Sequence, residues 1–467
     1  MSAKHFFSQI VCSCFDRSDT EKPKRLNYHL MIPKSRTATY THPNSIFNYP
    51  LTGQWELIAL KQKQFEFLRT VGNPYTTKIN SIEGIRHEFS KFMKTLENQT
   101  LEHYKKYRDK VDSREFYFNA GHYDGSDSER RIKVHFYQKK SDKDFDEPMP
   151  AFIYFHGGGG VALSVDKKVI PGYMARFVVD CNVKVFTVDY RLAPETVAPG
   201  GIIDAYAMVK YLIANCDNFK VDPERIAIGG ESGGAYIAAG CAIELVKKNE
   251  GNLVKMLDII HPMTSNFMHV TPFGDLTELE RRASEINIGM KSLIATGEWD
   301  LKNFKDYLYD EMIFPNEMSE ETAQKIPKTV IFTSEFDISR FEAEELAIKL
   351  NRNGTLLDFC CHPGTTHCWY TWFDGPRDEW FWNDQAKAFK KWLIDDCDHV
   401  VIESSDIGPP KLEVDGLENA SRNDMDSSPL KKLKQKIEKD IPVELQAAYK
   451  KKADMEMIMN TYNNSAL

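Results

Sequence analysis

The chain has 467 residues, of which 42% are hydrophobic, and its 60 Lys and Arg against 68 Asp and Glu give a net charge of −8. A chain of this length can bury a large core, and its slight acidity gives no reason to expect a nucleic-acid partner. No apolar run is long enough to span a bilayer, and the N-terminal one is too short and too interrupted for a secretory signal. Nine cysteines, several of them in apolar segments, favour a reducing compartment. These features predict a soluble cytoplasmic protein.

Two N-terminal cysteines leave open the alternative that the protein is attached to a membrane through lipid modification. Cys12 and Cys14 lie in an apolar patch, and basic residues follow at 22–25. Reversible palmitoylation with basic assistance would bring such a segment to a membrane, whereas an unmodified terminus would leave the protein soluble. We favour the unmodified terminus, because Ser2 stands where N-myristoylation requires a glycine.

The flanks of the chain differ from its middle. Residues 1–55 show no regular pattern, and residues 56–110 place apolar side chains at helical spacing. Residues 401–467 are polar and charged, which predicts a disordered linker and a short C-terminal helix.

The middle of the chain alternates between two kinds of pattern. Short apolar runs are predicted to be strands, at 114–119, 131–137, 149–156, 184–190, 225–230, 256–262, 329–336 and 356–362. The first two resemble an antiparallel pair, and the others suit parallel strands buried on both faces. Helical patterns intervene at 200–216, 233–248 and 340–354. This alternation predicts an α/β fold with a mostly parallel sheet.

A run of four glycines follows His156 at the end of the third predicted strand. A phosphate-binding loop would need GxxxxGK[ST] or a GxGxxG that opens a helix, and neither is present. A hinge and an oxyanion hole remain, and the second needs a nucleophile. The sequence GESGG at 230–234 supplies Ser232 in a G-x-S-x-G motif between a predicted strand and a predicted helix, which is the context of a nucleophile elbow.

Three motifs in order carry a family resemblance: HGGGG at 156–160, DYRLAPE at 189–195 and GESGGA at 230–235. Over about residues 110–396 the chain resembles the hormone-sensitive-lipase family of α/β hydrolases, which includes carboxylesterases, lipases and arylacetamide-deacetylase-like enzymes. The resemblance implies an α/β-hydrolase domain at 111–400, with a mostly parallel central sheet flanked by helices. It also implies a helical cap built from 56–110 and from an insertion at about 267–326.

The resemblance also implies an oxyanion hole formed by the N–H groups of Gly157, Gly158 and Gly233, with His156 in a structural role. The family motif usually reads GDSAGG, so Glu231 and Gly233 depart from it. Neither change removes the serine or the N–H group that follows it.

The acid and the base of a triad should follow the serine in chain order. Asp337 comes just after a predicted strand, and Glu335 is its rival. His362 and His367 both follow the last predicted strand, and the family places its base in the loop where His367 lies. The predicted triad is Ser232, Asp337 and His367.

Other residues of these motifs are predicted to be structural. We expect an ion pair between Asp189 and Arg191, with Glu195 and Asp204 bracing nearby loops. Four aromatic residues near the cap insertion could form an acyl pocket or the cap core, and the sequence leaves both readings open: Trp299, Tyr307, Tyr309 and Phe314.

The predicted function is hydrolysis of carboxylic esters through an acyl-enzyme on Ser232, without metal or organic cofactor. A non-catalytic small-molecule binding protein of the same fold and an amide deacetylase are the alternatives. The expected partner is a small-molecule or lipid ester, with peripheral membrane or lipid-droplet contact through the cap. Acyl length, leaving group and oligomeric state stay open.

Overall fold

The computed structural model describes residues 79–143, 147–166, 169–266, 278–299, 307, 309–334, 337, 339–362, 365–371 and 378–395. The predictions for residues 1–55, for Cys12 and Cys14 and for residues 401–467 lie outside these ranges, as does Glu335.

Eight strands form one sheet in the order β1-β2-β4-β3-β5-β6-β7-β8. Their bounds are β1 Val111–Asn119, β2 Arg131–Lys139, β3 Met149–Phe155, β4 Lys184–Val188, β5 Val221–Glu231, β6 Met256–Ile260, β7 Lys328–Ser334 and β8 Leu356–His362. The pairs β1–β2 and β2–β4 are antiparallel, and every other neighbouring pair is parallel. All eight predicted strands, and the antiparallel pairing of the first two, are confirmed.

Helices connect and cover the strands. Their bounds are α1 Ile82–His103, α2 Lys105–Arg108, α3 Gly121–Asp124, α4 Val169–Asp180, α5 Gly200–Ala214, α6 Cys216–Phe219, α7 Gly233–Lys247, α8 Glu278–Thr296, α9 Glu320–Lys325, α10 Arg340–Arg352 and α11 Asp378–Phe389. A π-helical turn, Lys390–Ile394, extends α11, and 3₁₀ turns occur at Lys140–Lys143, Gly251–Leu253, Pro315–Glu317 and Trp369–Thr371. The three predicted helices correspond to α5, α7 and α10. The sequence pattern does not predict α4, because its first turn contains Pro171 and Gly172, residue types that weaken a helical pattern.

The sheet separates two apolar cores. Side chains alternate along a strand, so Ile153 and Phe155 of β3 face the core that contains α5 and α7. Phe152 and Tyr154 face the opposite core, which contains α4 and α11. Helices on both faces explain why the central strands are nearly continuous apolar runs.

The parallel strands bring distant parts of the sequence to one edge of the sheet. The segments that follow the carboxyl ends of β3, β5, β6, β7 and β8 carry the glycine run, Ser232, His261, Asp337 and His367 respectively. In open parallel sheets, ligands bind at this edge.

Within the predicted cap insertion, helix α8 packs on the glycine run. A Cβ built on Gly159 would lie 2.3 Å from the Met290 sulfur, and one on Gly160 would lie 3.3 Å from Ile294. The assignment of residues 267–326 as a cap stays a prediction.

Of the four aromatic candidates for an acyl pocket, Phe314 is buried in the core and Trp299 packs against Gly289 of α8. Tyr307 and Tyr309 are exposed.

Among the residues that the structure describes, no helix combines the length and the apolar character that crossing a membrane requires.

Candidate active site

Ser232 occupies the turn between β5 and α7. Its φ of 55° and ψ of −119° are strained for a residue with a side chain, and such strain is typical of functional turns. The Ser232 N–H donates to the Ile260 carbonyl at 2.9 Å, which ties the turn to the end of β6. The side chain stands at the N-terminus of α7, where the helix dipole favours developing negative charge.

Glycines make the sharp turn sterically feasible. A Cβ on Gly230 would lie 2.4 Å from the Phe155 carbonyl oxygen, and one on Gly234 would lie 1.9 Å from the same atom. A Cβ on Gly233 would lie 2.5 Å from the Gly160 nitrogen. Since only glycine permits these approaches, the turn and the glycine run pack together directly.

The glycine run lies beside the serine. A Cβ on Gly157 would be 3.5 Å from the Ser232 Cβ. Gly158 has a φ of 102°, and a Cβ on it would lie 2.2 Å from the Ala162 carbonyl oxygen. His156 is buried, its Nδ1 lies 2.8 Å from the Gly157 carbonyl oxygen, and its ring stacks on Tyr190. The structure therefore brings Gly157 and Gly233 to Ser232, and His156 packs within the loop.

Asp337 is buried and accepts four hydrogen bonds. Its Oδ1 accepts from the Ser339 N–H and hydroxyl, both at 2.8 Å. Its Oδ2 accepts from Nδ1 of His261 at 2.7 Å and Nδ1 of His367 at 2.8 Å. Burial by itself would raise the pKa of Asp337, but the charge of His367 and the bonds from both histidines lower it well below its usual range.

His367 is the partly exposed member of this group, with 18% of its side chain accessible. Burial lowers the pKa of His367, whereas the charge and hydrogen bond of Asp337 raise it, and the net shift is upward. The loop before it is anchored to the end of β7, because Thr365 Oγ1 donates to Ser334 Oγ at 2.8 Å. The bond to Asp337 engages Nδ1 of His367 and leaves Nε2 for proton transfer.

His362, the rival for the base, lies elsewhere. It is buried, and its Nε2 is 3.3 Å from Asp384 Oδ2. Its ring stacks on Phe332 and makes edge contacts with Trp369. Of the two histidines that follow the last predicted strand, His367 is the one that contacts Asp337.

No motif in the sequence singles out His261 as a site residue. This residue follows β6 directly, is fully buried and has a φ of 49°. Its ring centroid lies 5.5 Å from that of His367. Burial lowers the pKa of His261 to about 4, against the opposing effect of Asp337. A positive φ cannot be read from sequence, so the position of His261 at the end of a strand was the one available signal.

Glu231, directly before the serine, is a buried carboxylate held by two tyrosines. Tyr173 donates to its Oε1 at 3.0 Å, and Tyr370 donates to its Oε2. Burial raises the pKa of Glu231, and these bonds oppose the shift. Since Tyr370 is three residues beyond His367, Glu231 links the serine turn to the histidine loop.

The expected ion pair between Asp189 and Arg191 is wrong. Arg191 instead bonds both carboxylate oxygens of Asp204, at 2.8 and 2.9 Å, and Arg130 pairs with the same carboxylate. Asp204 is fully buried, and a buried charge requires paired partners. Asp189 accepts the Val165 N–H.

Glu195 forms an ion pair with Arg86 of α1, so this carboxylate braces the N-terminal helix. Asp204 likewise joins Arg191 to Arg130 of the loop before β2. The bracing role expected of both carboxylates is confirmed.

Three groups of described side chains place possible metal donors within 4.8 Å of one another: His261, Asp337 and His367; Cys360, His362 and Asp384; Glu115, His135 and Asp166. In the first group, the distances of 2.7 and 2.8 Å join hydrogen-bonding atoms and are shorter than the roughly 3.3 Å between ligands of one tetrahedral ion. In the second, the sulfur lies 3.6 and 4.0 Å from the two ring nitrogens of His362, so it is not aligned with the lone pair of either nitrogen. In the third, Lys133 already pairs with Asp166. None of these three groups has the geometry of a preformed ion site.

Comparison with known proteins places this site in context. Residues 152–371 match the profile of a family described as the alpha/beta hydrolase fold. The chain is 31% identical over 117 residues to "Probable carboxylesterase 3" of Arabidopsis thaliana, covering 24% of this chain and 37% of the relative. It is 27% identical over 228 residues to "Carboxylic ester hydrolase LipN" of Mycobacterium tuberculosis, covering 47% and 56% respectively. The match thus spans less than two thirds of either relative.

Among solved structures, the Pyrobaculum calidifontis esterase superposes with a TM-score of 0.54 at 20% identity, covering 74% of this chain and 100% of that one. Similarity at this level of identity establishes the fold.

Proposed function

We propose that the protein hydrolyses carboxylic esters through an acyl-enzyme on Ser232. The match of residues 152–371 to a family described as the alpha/beta hydrolase fold and the similarity to carboxylesterases support the proposal, in line with the resemblance of the sequence motifs to the hormone-sensitive-lipase family. One observation carries the proposal. The strained serine turn and the Asp337–His367 hydrogen bond lie at the same edge of the sheet, after β5, β7 and β8.

The first step uses the hydrogen bond of 2.8 Å between His367 and Asp337. Ser232 Oγ attacks the ester carbonyl carbon while His367 Nε2 takes the hydroxyl proton. Asp337 fixes the tautomer of the imidazole and stabilises its positive charge.

The tetrahedral intermediate carries its negative charge on the former carbonyl oxygen. We propose the N–H groups of Gly157, Gly158 and Gly233 as its donors, since the glycine run packs against Ser232 and Gly233. Loss of one such donor typically costs ~10²–10³ in rate. His367 then gives its proton to the leaving alcohol, and a water molecule, deprotonated by the same histidine, hydrolyses the acyl-serine.

The proposed substrate is a small-molecule or lipid ester that enters beneath the cap. Contact of that cap with a membrane or lipid-droplet surface is part of the proposal, as is a cytoplasmic location. Six described cysteines are free and buried, which suits a reducing compartment: Cys181, Cys216, Cys241, Cys360, Cys361 and Cys368.

The test is active-site labelling of the purified chain with a fluorophosphonate, followed by hydrolysis of nitrophenyl esters of increasing acyl length and of a matched anilide. We expect labelling on Ser232 and faster ester than amide hydrolysis. Ser232→Ala should abolish labelling and lower kcat by about 10⁴-fold or more with the fold intact.

Ser265→Ala is the matched control, because Ser265 is another buried serine beyond a strand end at this edge. It should keep the label. A wild-type protein that binds esters without labelling or turnover would contradict the proposal and favour the binding-protein alternative.

A further inference from the structure

The carboxylate of Asp337 accepts hydrogen bonds from two histidines. His261 and His367 reach the same oxygen, Oδ2, at 2.7 and 2.8 Å, and Ser339 occupies the other oxygen twice. A catalytic aspartate in a triad needs one histidine. A triad therefore does not explain why His261 also binds Asp337.

The backbone aims His261 at this carboxylate. Its φ of 49° is left-handed, a backbone conformation that is strained for a residue with a side chain. The His261 N–H donates to the Phe332 carbonyl at 2.8 Å, so the strained residue is held against β7. Strain retained beside a reactive site is a sign of functional constraint.

The imidazole of His261 is neutral and oriented. It is fully buried, and its Nε2 has no hydrogen-bond partner, while Nδ1 faces Asp337. Since a carboxylate only accepts hydrogen bonds, the proton of the neutral ring lies on Nδ1.

The adjacent residue contacts the nucleophile turn, because the Ile260 carbonyl accepts the Ser232 N–H. Ile260 thus holds the serine turn through its backbone carbonyl, and the next residue, His261, holds Asp337 through its side chain. One short segment at the end of β6 therefore positions both the nucleophile and the acid of the proposed mechanism.

We infer that His261 is a positioning residue for the proposed reaction: it holds Asp337 through a second Nδ1–H bond and draws part of that carboxylate's charge away from His367. The inference rests on the proposed function. Its consequence is that His367 stays a free base at lower pH than it would beside an unshared aspartate.

Other charges also act on His367. Glu231 and Glu342 raise the pKa of His367, and Glu342 is itself neutralised by Lys291 at 2.8 Å. These groups remain in place when His261 is changed, so a shift in the titration of His367 reports on Asp337.

The experiment compares His261→Phe, which keeps the ring and removes the donor, with His261→Asn. Asparagine tolerates a positive φ and places an amide N–H where Nδ1 lies. In His261→Phe we expect kcat to fall about 10–100-fold with KM nearly constant. We also expect the acidic limb of the pH profile of kcat/KM to move to higher pH by about 0.5–1 unit, because the carboxylate of Asp337, no longer shared, stabilises the imidazolium of His367. His261→Asn should return both values most of the way to wild type.

The control is His362→Phe, which alters another fully buried histidine and leaves Asp337 untouched. It should leave the acidic limb where it is. An unshifted limb in His261→Phe, or an equal shift in His362→Phe, would overturn the inference; His261→Leu replaces the Phe variant if that one does not fold.

Failure of the role inferred for His261 can be distinguished from failure of the proposed function. Absence of fluorophosphonate labelling in the wild-type protein would refute the hydrolase proposal. The role of His261 would then be read from the NMR titration of His367, assigned with His367→Gln. That titration should move to higher pH in His261→Phe, and an unmoved pKa of His367 would reject the role.

Discussion

His261 and His362 have nearly the same local sequence and opposite surroundings. Each is a buried histidine at the end of a strand, each precedes a proline, and each faces a buried aspartate. At the end of β6, His261 turns with a positive φ to the edge of the sheet and meets Asp337. At the end of β8, His362 points into the interior, where it lies among Phe332, Trp369 and Phe381 beneath α11.

Residue type and strand position therefore do not by themselves bring a histidine to the carboxyl edge of the sheet. The two histidines differ in their partner aspartates, since Asp337 follows β7 at that edge and Asp384 lies on α11. Polar groups at the carboxyl edge should therefore control activity, and those beneath α11 should control stability.

The largest expected contrast is between the histidines of the last loop. His367→Ala should lower kcat by about 10³–10⁵-fold, because the proposed general base is lost, with little change in the thermal midpoint. His362→Ala should keep activity within about fivefold and lose about 2–4 kcal/mol of stability, since it leaves a cavity and removes a partner of Asp384. Ester kinetics and thermal unfolding of both variants give the measurement. The reverse pattern would mean that the base is misassigned.

A smaller effect is expected at Glu231. Its negative charge raises the pKa of His367, so Glu231→Gln should move the acidic limb of kcat/KM to lower pH by about 0.3–1 unit, opposite in sign to His261→Phe. Tyr173→Phe, which removes one hydrogen bond and keeps the charge, is the matched control and should barely move the limb. A shift of Glu231→Gln to higher pH would show that its charge does not reach His367.

The smallest effect on activity is expected in the interior, at Asp258 of β6. Burial raises the pKa of Asp258 to about 8, against the bond from Gln385. Between about pH 4 and 8 the folded state thus keeps a proton that the unfolded state releases, so stability falls as pH rises through this window.

Asp258→Asn should remove this dependence. Its thermal midpoint should exceed that of wild type at pH 8 by about 5 °C, and the two should converge near pH 4, with ester kinetics unchanged. Calorimetry across the window provides the check. Parallel midpoints at every pH would mean that Asp258 is ionised in the folded protein.

Much of the architecture was predictable. Each central strand is a short apolar run because helices cover both faces, and the runs at 149–156 and 225–230 marked β3 and β5 within a few residues. The serine turn was recognisable because glycines at 230, 233 and 234 are needed wherever backbone atoms approach closely. Helix α4 could not be predicted, since its first turn contains residue types that weaken a helical pattern.

The side-chain partners were less accessible from sequence. Arg191 pairs with Asp204 rather than with Asp189, because the buried carboxylate on α5 needed a cation that local spacing does not reveal. Likewise, the contact of Tyr370 with Glu231 joins residues 139 positions apart.

The sequence by itself determined the kind of sheet, the place of the serine turn and the candidates for acid and base, because these follow from local periodicity, glycine sterics and strand ends. Only the tertiary structure decided which histidines meet Asp337. Spacing could not separate His362 from His367, and it did not single out His261 from other residues at strand ends. The physical reason is that a hydrogen bond between strand ends depends on the order of strands in the sheet and on one backbone torsion, the φ of 49° at His261. Neither quantity can be predicted from a stretch of neighbouring residues.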